Sequence, residues 1–285
     1  MVLASFLVTS RETLEATLVV GIVLAYLTKT NKHHYRKTVY YGIAFGILAS
    51  LLSAFIFTIF AGGFEGRAEE IFEGITMLFA SFLLTTMILW MMRQKHIARH
   101  IESKVSVEIE KAEIDMTYAY GLFLLVLIAV LREGVETVIF LNAMKYASGV
   151  NFVGGLLGVL TAIGVGYLFF TSTRKVNLKK FFNISSILLI LFAAGLVAQG
   201  IHELQEAGVI LYGAKELWNI NPAVAVEGVY PLLHEKGMVG SFLKGLFGYN
   251  GNPSLLEVLS YIAYLGIIFY LYRRIENSQK VKVGS

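Results

Sequence analysis

The chain contains no cysteine. That excludes disulfides, thiolate metal sites and a cysteine nucleophile together, and it leaves the redox compartment unspecified. Proline is nearly as scarce: Pro222, Pro231 and Pro253 are the only three, all in the stretch before the last apolar run. Charge is sparse as well. Asp, Glu, Lys and Arg make up 15% of the 285 residues, against about 25% in a soluble domain. The N-terminal apolar run lacks a basic n-region and an A-x-A-like cleavage site, so it reads as a first helix rather than a secretory signal.

What is present is apolar sequence. Hydrophobic residues make up 56% of the chain and the mean hydropathy is +0.67. Several runs reach the roughly 20 residues that cross a hydrocarbon core of about 30 Å. They fall near 2–27, 38–61, 71–92, 117–143, 152–172, 181–212 and 255–272. The expected fold is an all-α integral membrane protein with seven transmembrane helices in a single membrane domain, residues 1–285. The sixth run is long for one crossing, so it is expected to be broken or to extend past the membrane. Segment 213–254 is the one long loop, and GSFLKGLFGY within it is amphipathic, suited to the interface.

Lys and Arg set an orientation. Segments 29–37, 93–116, 174–180 and 273–285 hold 17 of the 24, whereas Arg67, Lys145, Lys215, Lys236 and Lys244 lie on the other side. The positive-inside rule then puts the N-terminus outside and the C-terminus in the cytoplasm. Positives confined to short loops are topology signals, not a nucleic-acid surface. The mixed charges of 93–116, such as Glu102, Lys104, Glu108, Glu110 and Lys111, read as a solvated helix face.

An internal repeat stands out. SRETLEA at 10–16 and LREGVET at 131–137 both contain Arg-Glu-x-x-Glu, offset by 121 residues. The second copy lies three spans after the first, so the two helices run in opposite directions. This is the sign of a 3+3 inverted repeat, a transporter plan with its site near the midplane. Repeat one covers about 1–92 and repeat two about 117–212, with the last helix left over.

Six ionisable groups therefore fall at mid-membrane depth: Arg11, Glu12, Glu15, Arg132, Glu133 and Glu136. Each costs several kcal/mol there, and such residues mark function by default. On a helix each motif's three charges share one face through i,i+3 and i,i+4 spacing. If the faces meet, four carboxylates and two guanidiniums leave a formal charge of −2, which one divalent cation neutralises. Hard cations take oxygen ligands. The expected ligands are Glu12, Glu15, Glu133 and Glu136, with Arg11 and Arg132 holding the glutamates from behind. The bland reading pairs each Arg with its own Glu at i+4. That accounts for Glu15 and Glu136 but leaves Glu12 and Glu133 without partners.

A second acidic set lies toward the outer side. FEGRAEEIFEG opens the third span, and HELQEAG at 202–208 closes the sixth. Glu70, Glu73, His202, Glu203 and Glu206 are candidates for a vestibule that concentrates cations. Glu65 and Glu69 read as a solvated rim, and His202 also suits a satisfied interfacial histidine.

The two Arg-Glu-x-x-Glu motifs, GRAEEIFEGITML at 66–78, HELQEAG at 202–208 and KGLFGYNGNPSLLEVLSYIAYL at 244–265 together resemble the high-affinity iron permease family, most closely its bacterial members. The chain departs at one place: Thr13 stands where the family usually has Gly after the first Glu. The resemblance implies iron as the transported substrate, not a resident cofactor. It implies import across the cytoplasmic membrane, the motif glutamates as carriers, and an outer partner that oxidises Fe(II) and hands over Fe(III). Composition and spacing alone reach only a hard-cation site. Alternatives are a carrier of another divalent cation such as Mn(II), and a di-iron membrane enzyme. The latter typically uses Glu-x-x-His pairs, and no His here has a Glu three residues before it. Oligomeric state is left open.

Overall fold

The computed structural model describes residues 2–93, 105–107, 119–171, 178–211, 216–221 and 230–281. Among these there is helix and no strand. The helices are α1 (Val2–Lys29), α2 (Arg36–Ala61), α3 (Arg67–Arg93), α4 (Ala119–Ala147), α5 (Phe152–Thr171), α6 (Leu178–Glu206), α7 (Met238–Phe247) and α8 (Leu255–Val281), with a 3-10 turn at His33–Tyr35. Five stretches are long and apolar enough to cross a membrane: His33–Ala61, Arg67–Met91, Phe152–Thr171, Lys180–Glu206 and Leu255–Ile275. The protein is a multi-pass membrane protein. Helices α1 and α4, of 28 and 29 residues, are as long, but each carries the three charges of its motif near its middle.

Packing follows a simple scheme. Helix α1 lies mainly along α5, α2 along α4, and α3 along α6, while α8 rests on α6. The buried core joins α1, α3, α4 and α6 through Leu7, Val8, Met77, Leu84, Phe140, Met144, Phe192 and Leu196. A second cluster, Val23, Leu27, Val39, Leu122, Val126 and Val130, ties α1, α2 and α4 together at the other end. Helix α2 shows Tyr41, Phe45, Leu48, Leu51, Leu52 and Phe55 on its outer face. A contiguous apolar face of this kind marks contact with lipid or another apolar partner.

Without a hydrophobic drive between helices in lipid, small residues set how closely they approach. The α2–α4 and α1–α5 contacts are built alike. A Cβ at Gly46 would meet Leu127 O and Val130, and one at Gly158 would meet Phe6 O and Thr9. Likewise Gly42 abuts Phe123 O, and Gly154 abuts Val2 O. Where α3 crosses α6, Gly74 and Gly200 face each other. A Cβ on either would sit 2.9 Å from the other's carbonyl oxygen, with Leu204 and Leu78 as the reciprocal neighbours. The chain thus contains a second paired motif, Gly-Ile-x-x-Leu at 74–78 and 200–204.

The helix ends have local causes. Asn151 Oδ1 accepts from Gly154 N at 2.8 Å and starts α5. At α8, Ser254 Oγ accepts from Glu257 N at 3.2 Å, and Glu257 Oε1 accepts from Ser254 N at 2.8 Å. This is a capping box, which satisfies two otherwise unpaired donors. The sixth run, expected to reach 212, stops as helix at Glu206, where Gly208 takes a left-handed φ of +66°. The long loop 213–254 contains the amphipathic helix α7. Lys244 of α7 donates to Glu235 at 2.6 Å, and Asn221 Nδ2 and Gly251 N donate to the same carboxylate. Burial opposes the charge on Glu235, but these donors outweigh it and hold its carboxyl below the usual range. The charges named at 102–111 all lie outside the described residues, as do Arg174 and Lys175.

Candidate metal-cation site

The two motifs come together where α1 and α4 enter the central core. Glu12, Glu133 and Glu136 each present a carboxylate oxygen within 4.8 Å of the others, a spacing that can hold one metal ion. Glu12 and Glu133 are buried, at 1% and 4% exposure, and Glu136 is partly buried. Glu15 lies next to this group, with Glu133, Arg132 and Glu136 among its charged neighbours. All four carboxylates expected from the sequence are therefore neighbours, three of them with oxygens within 4.8 Å of one another.

Their hydrogen bonding is unusual for buried acids. Both oxygens of Glu12, Oε1 of Glu15 and Oε2 of Glu133 accept no hydrogen bond from the protein. Buried polar groups are normally paired, because an unpaired one costs about 1–3 kcal/mol and more when charged. Bare oxygens on Glu12 and Glu133, two members of the 4.8 Å group, suit a cation site: lone pairs held out of water and given to no hydrogen bond.

The two arginines behave differently. Arg132 is half exposed. Its Nε donates to Glu133 Oε1 at 3.0 Å, its Nη2 reaches the same oxygen, and it stands 3.5 Å from Glu136. Arg11 is fully buried. It stands 3.5 Å from Glu15 and 3.9 Å from Glu12. Its Nη1 and Nη2 donate instead to the sulfurs of Met87 and Met91 on α3, at 2.8 and 3.0 Å.

The second acidic set also assembles. The Gly74–Gly200 crossing brings the start of α3 beside the end of α6, and Glu203 has Glu73, Glu206 and Glu70 among its charged neighbours. Glu69 adds to the charge around Glu73. His202 stands 3.3 Å from Glu206 through Nε2 and 3.0 Å from Glu257 through Nδ1. Glu257 is buried and accepts from Asn250 and Ser254 as well. His202 is thus held from both sides, which ties α6 to α8.

A model of the iron permease FTR1 family matches residues 2–277. The chain belongs to that family. It is 32% identical over 272 residues to a ferrous iron permease EfeU of Yersinia pestis, covering 93% of this chain and 92% of that protein. It is 31% identical over 269 residues to a ferrous iron permease EfeU of Escherichia coli O6:H1 strain CFT073, covering 91% of each. No solved structure matches. The FTR1 family is one of transporters, so the chain is a permease rather than an enzyme, and iron is substrate rather than cofactor.

In this FTR1-family permease, sequence reasoning passed over two sets of residues beside the candidate sites. Glu257 carries the same signal as Glu70, a carboxylate in the first turn of an apolar helix, and that criterion finds it. Met87 and Met91 carry no signal, since methionine in an apolar helix is ordinary core material.

Proposed function

We propose that this permease imports iron across the cytoplasmic membrane through a midplane site made by Glu12, Glu15, Glu133 and Glu136. The observation that carries this reading is the set of buried carboxylate oxygens on Glu12, Glu15 and Glu133 that accept no hydrogen bond, with Glu12 and Glu133 also in the group of three, with Glu136, whose oxygens lie within 4.8 Å of one another. Two helices that paired only through salt bridges would spend those lone pairs on Arg. Here both oxygens of Glu12 accept no hydrogen bond, although Arg11 is its neighbour in sequence. A formal charge of −2 on the six groups suits a multivalent cation. The carboxylate chemistry alone does not separate iron from Mn(II), since both accept such donors. Family membership is what favours iron.

In this reading α1 to α6 and α8 all cross the membrane, with the N-terminus outside. Helices α1 to α3 and α4 to α6 form inverted repeats. The matching Gly contacts of α2–α4 and α1–α5, and the reciprocal Gly74–Gly200 crossing, support the repeat, because exchanging the halves carries each contact into its counterpart. Glu70, Glu73, His202, Glu203 and Glu206 gather the ion at the outer end. A partner there oxidises Fe(II), so that Fe(III) is handed inward. Radio-iron uptake into proteoliposomes tests this, with iron supplied as Fe(II) under ascorbate or as Fe(III) citrate, and Mn(II) as competitor. Uptake suppressed equally by Mn(II) at the same concentration would shift the reading to a general divalent carrier.

A further inference from the structure

The repeat places Arg11 and Arg132 at equivalent positions, yet only one of them covers its glutamates. Arg132 hydrogen-bonds to Glu133. Arg11 spends both terminal nitrogens on Met87 and Met91. These methionines are four residues apart and lie on one face of α3. By the spacing of the paired Gly-Ile-x-x-Leu motifs the matching positions in the second repeat are Gly213 and Leu217, neither of which is a methionine.

We infer that Met87 and Met91 are positioning residues that hold Arg11 off Glu12 and Glu15 and so keep those carboxylates open for the cation. The inference rests on the midplane ion-site reading above. Coulomb attraction falls only as 1/r, so a guanidinium 3.5–3.9 Å from the carboxylates still compensates their charge. A hydrogen bond, by contrast, occupies a lone pair. Arg11 on the sulfurs lowers the cost of the empty site without occupying the oxygens that a metal needs. Thioether sulfur is a weak acceptor, so the berth holds the guanidinium in place without competing with the carboxylates for its charge. Without the two sulfurs, the buried nitrogens have the carboxylates as their nearest acceptors. Arg11 then closes onto Glu12 and Glu15 as Arg132 does onto Glu133.

The test is the pair Met87→Leu/Met91→Leu against Met87→Gln/Met91→Gln, each purified to a monodisperse peak and reconstituted. Leu keeps the apolar volume and removes the acceptor; Gln keeps an acceptor of similar reach. Radio-iron uptake should show the half-saturating iron concentration raised about tenfold by Leu, at near-normal maximal rate, and largely restored by Gln. A packing role gives the opposite order, because Leu is the volume-conserving substitution for Met and Gln is not. Wild-type half-saturation in the Leu pair, or Gln worse than Leu, overturns the inference. The single variants Met87→Leu and Met91→Leu decide the question in the same way if the double variant does not fold. Glu12→Gln measured alongside separates the two levels. If it transports normally, the ion-site reading fails. If it is inactive while the Leu pair is normal, only the methionine berth fails.

Discussion

Arg11 and Glu12 are adjacent in sequence and buried together, yet the guanidinium stands 3.9 Å from the carboxylate. The charge of the arginine is used and its hydrogen bonds go elsewhere. Arg132 differs, since it grips Glu133 and reaches Glu136 from a half-exposed position. Arg132→Lys is therefore expected to transport poorly, because an ammonium cannot reproduce a planar fork serving two carboxylates. Arg11→Lys is expected to fail as well, since a shorter hydrogen-bonding reach leaves either the sulfurs or the carboxylates unserved. Uptake assays on both variants check this, and unchanged transport in both would count against any holding role. In the second acidic set, Glu73→Gln and Glu206→Gln should mainly raise the half-saturating iron concentration, as expected of groups that gather ions rather than pass them. A fall in maximal rate at constant half-saturation would place them on the translocation path instead.

At the scale of helices, the apolar runs and the near absence of proline made the long elements readable, because nothing interrupts hydrogen bonding over 20 or more residues in each. The Arg-Glu-x-x-Glu spacing also made the candidate site readable, since i,i+3 and i,i+4 carboxylates share a face whatever the surroundings. Tertiary facts were not readable. That Gly74 meets Gly200, or that α2 lies on α4 and α1 on α5, depends on which helices become neighbours, and hydropathy does not encode that. Nor does it show where a membrane helix stops: the sixth run stays apolar past Glu206, but Gly208 ends the helix there. Helix α8 starts where Ser254 and Glu257 cap it, and Glu257 also holds His202. Ser254→Ala should lower thermal stability in detergent by about 1 kcal/mol. The effect should be confined to α8 and its contact with α6, as read by hydrogen exchange; uniform loss of protection across the protein would contradict a local cap.

Across the whole molecule, membership of the FTR1 family and a buried cluster of bare carboxylates point to the same function from independent directions. The family supplies iron, and the proposed site is the carboxylate group that could hold it. Replacing Glu12 or Glu133 with Gln keeps size and shape, removes one negative charge and a strong donor to hard cations, and leaves helix packing almost unchanged. The most direct measurement is radio-iron uptake into proteoliposomes by Glu12→Gln, Glu133→Gln and the double variant, normalised to protein that elutes as a single folded peak. The expected result is severe loss of uptake in each single variant and none measurable in the double. Wild-type uptake in the double variant would contradict the ion site and leave the two motifs as structural salt bridges.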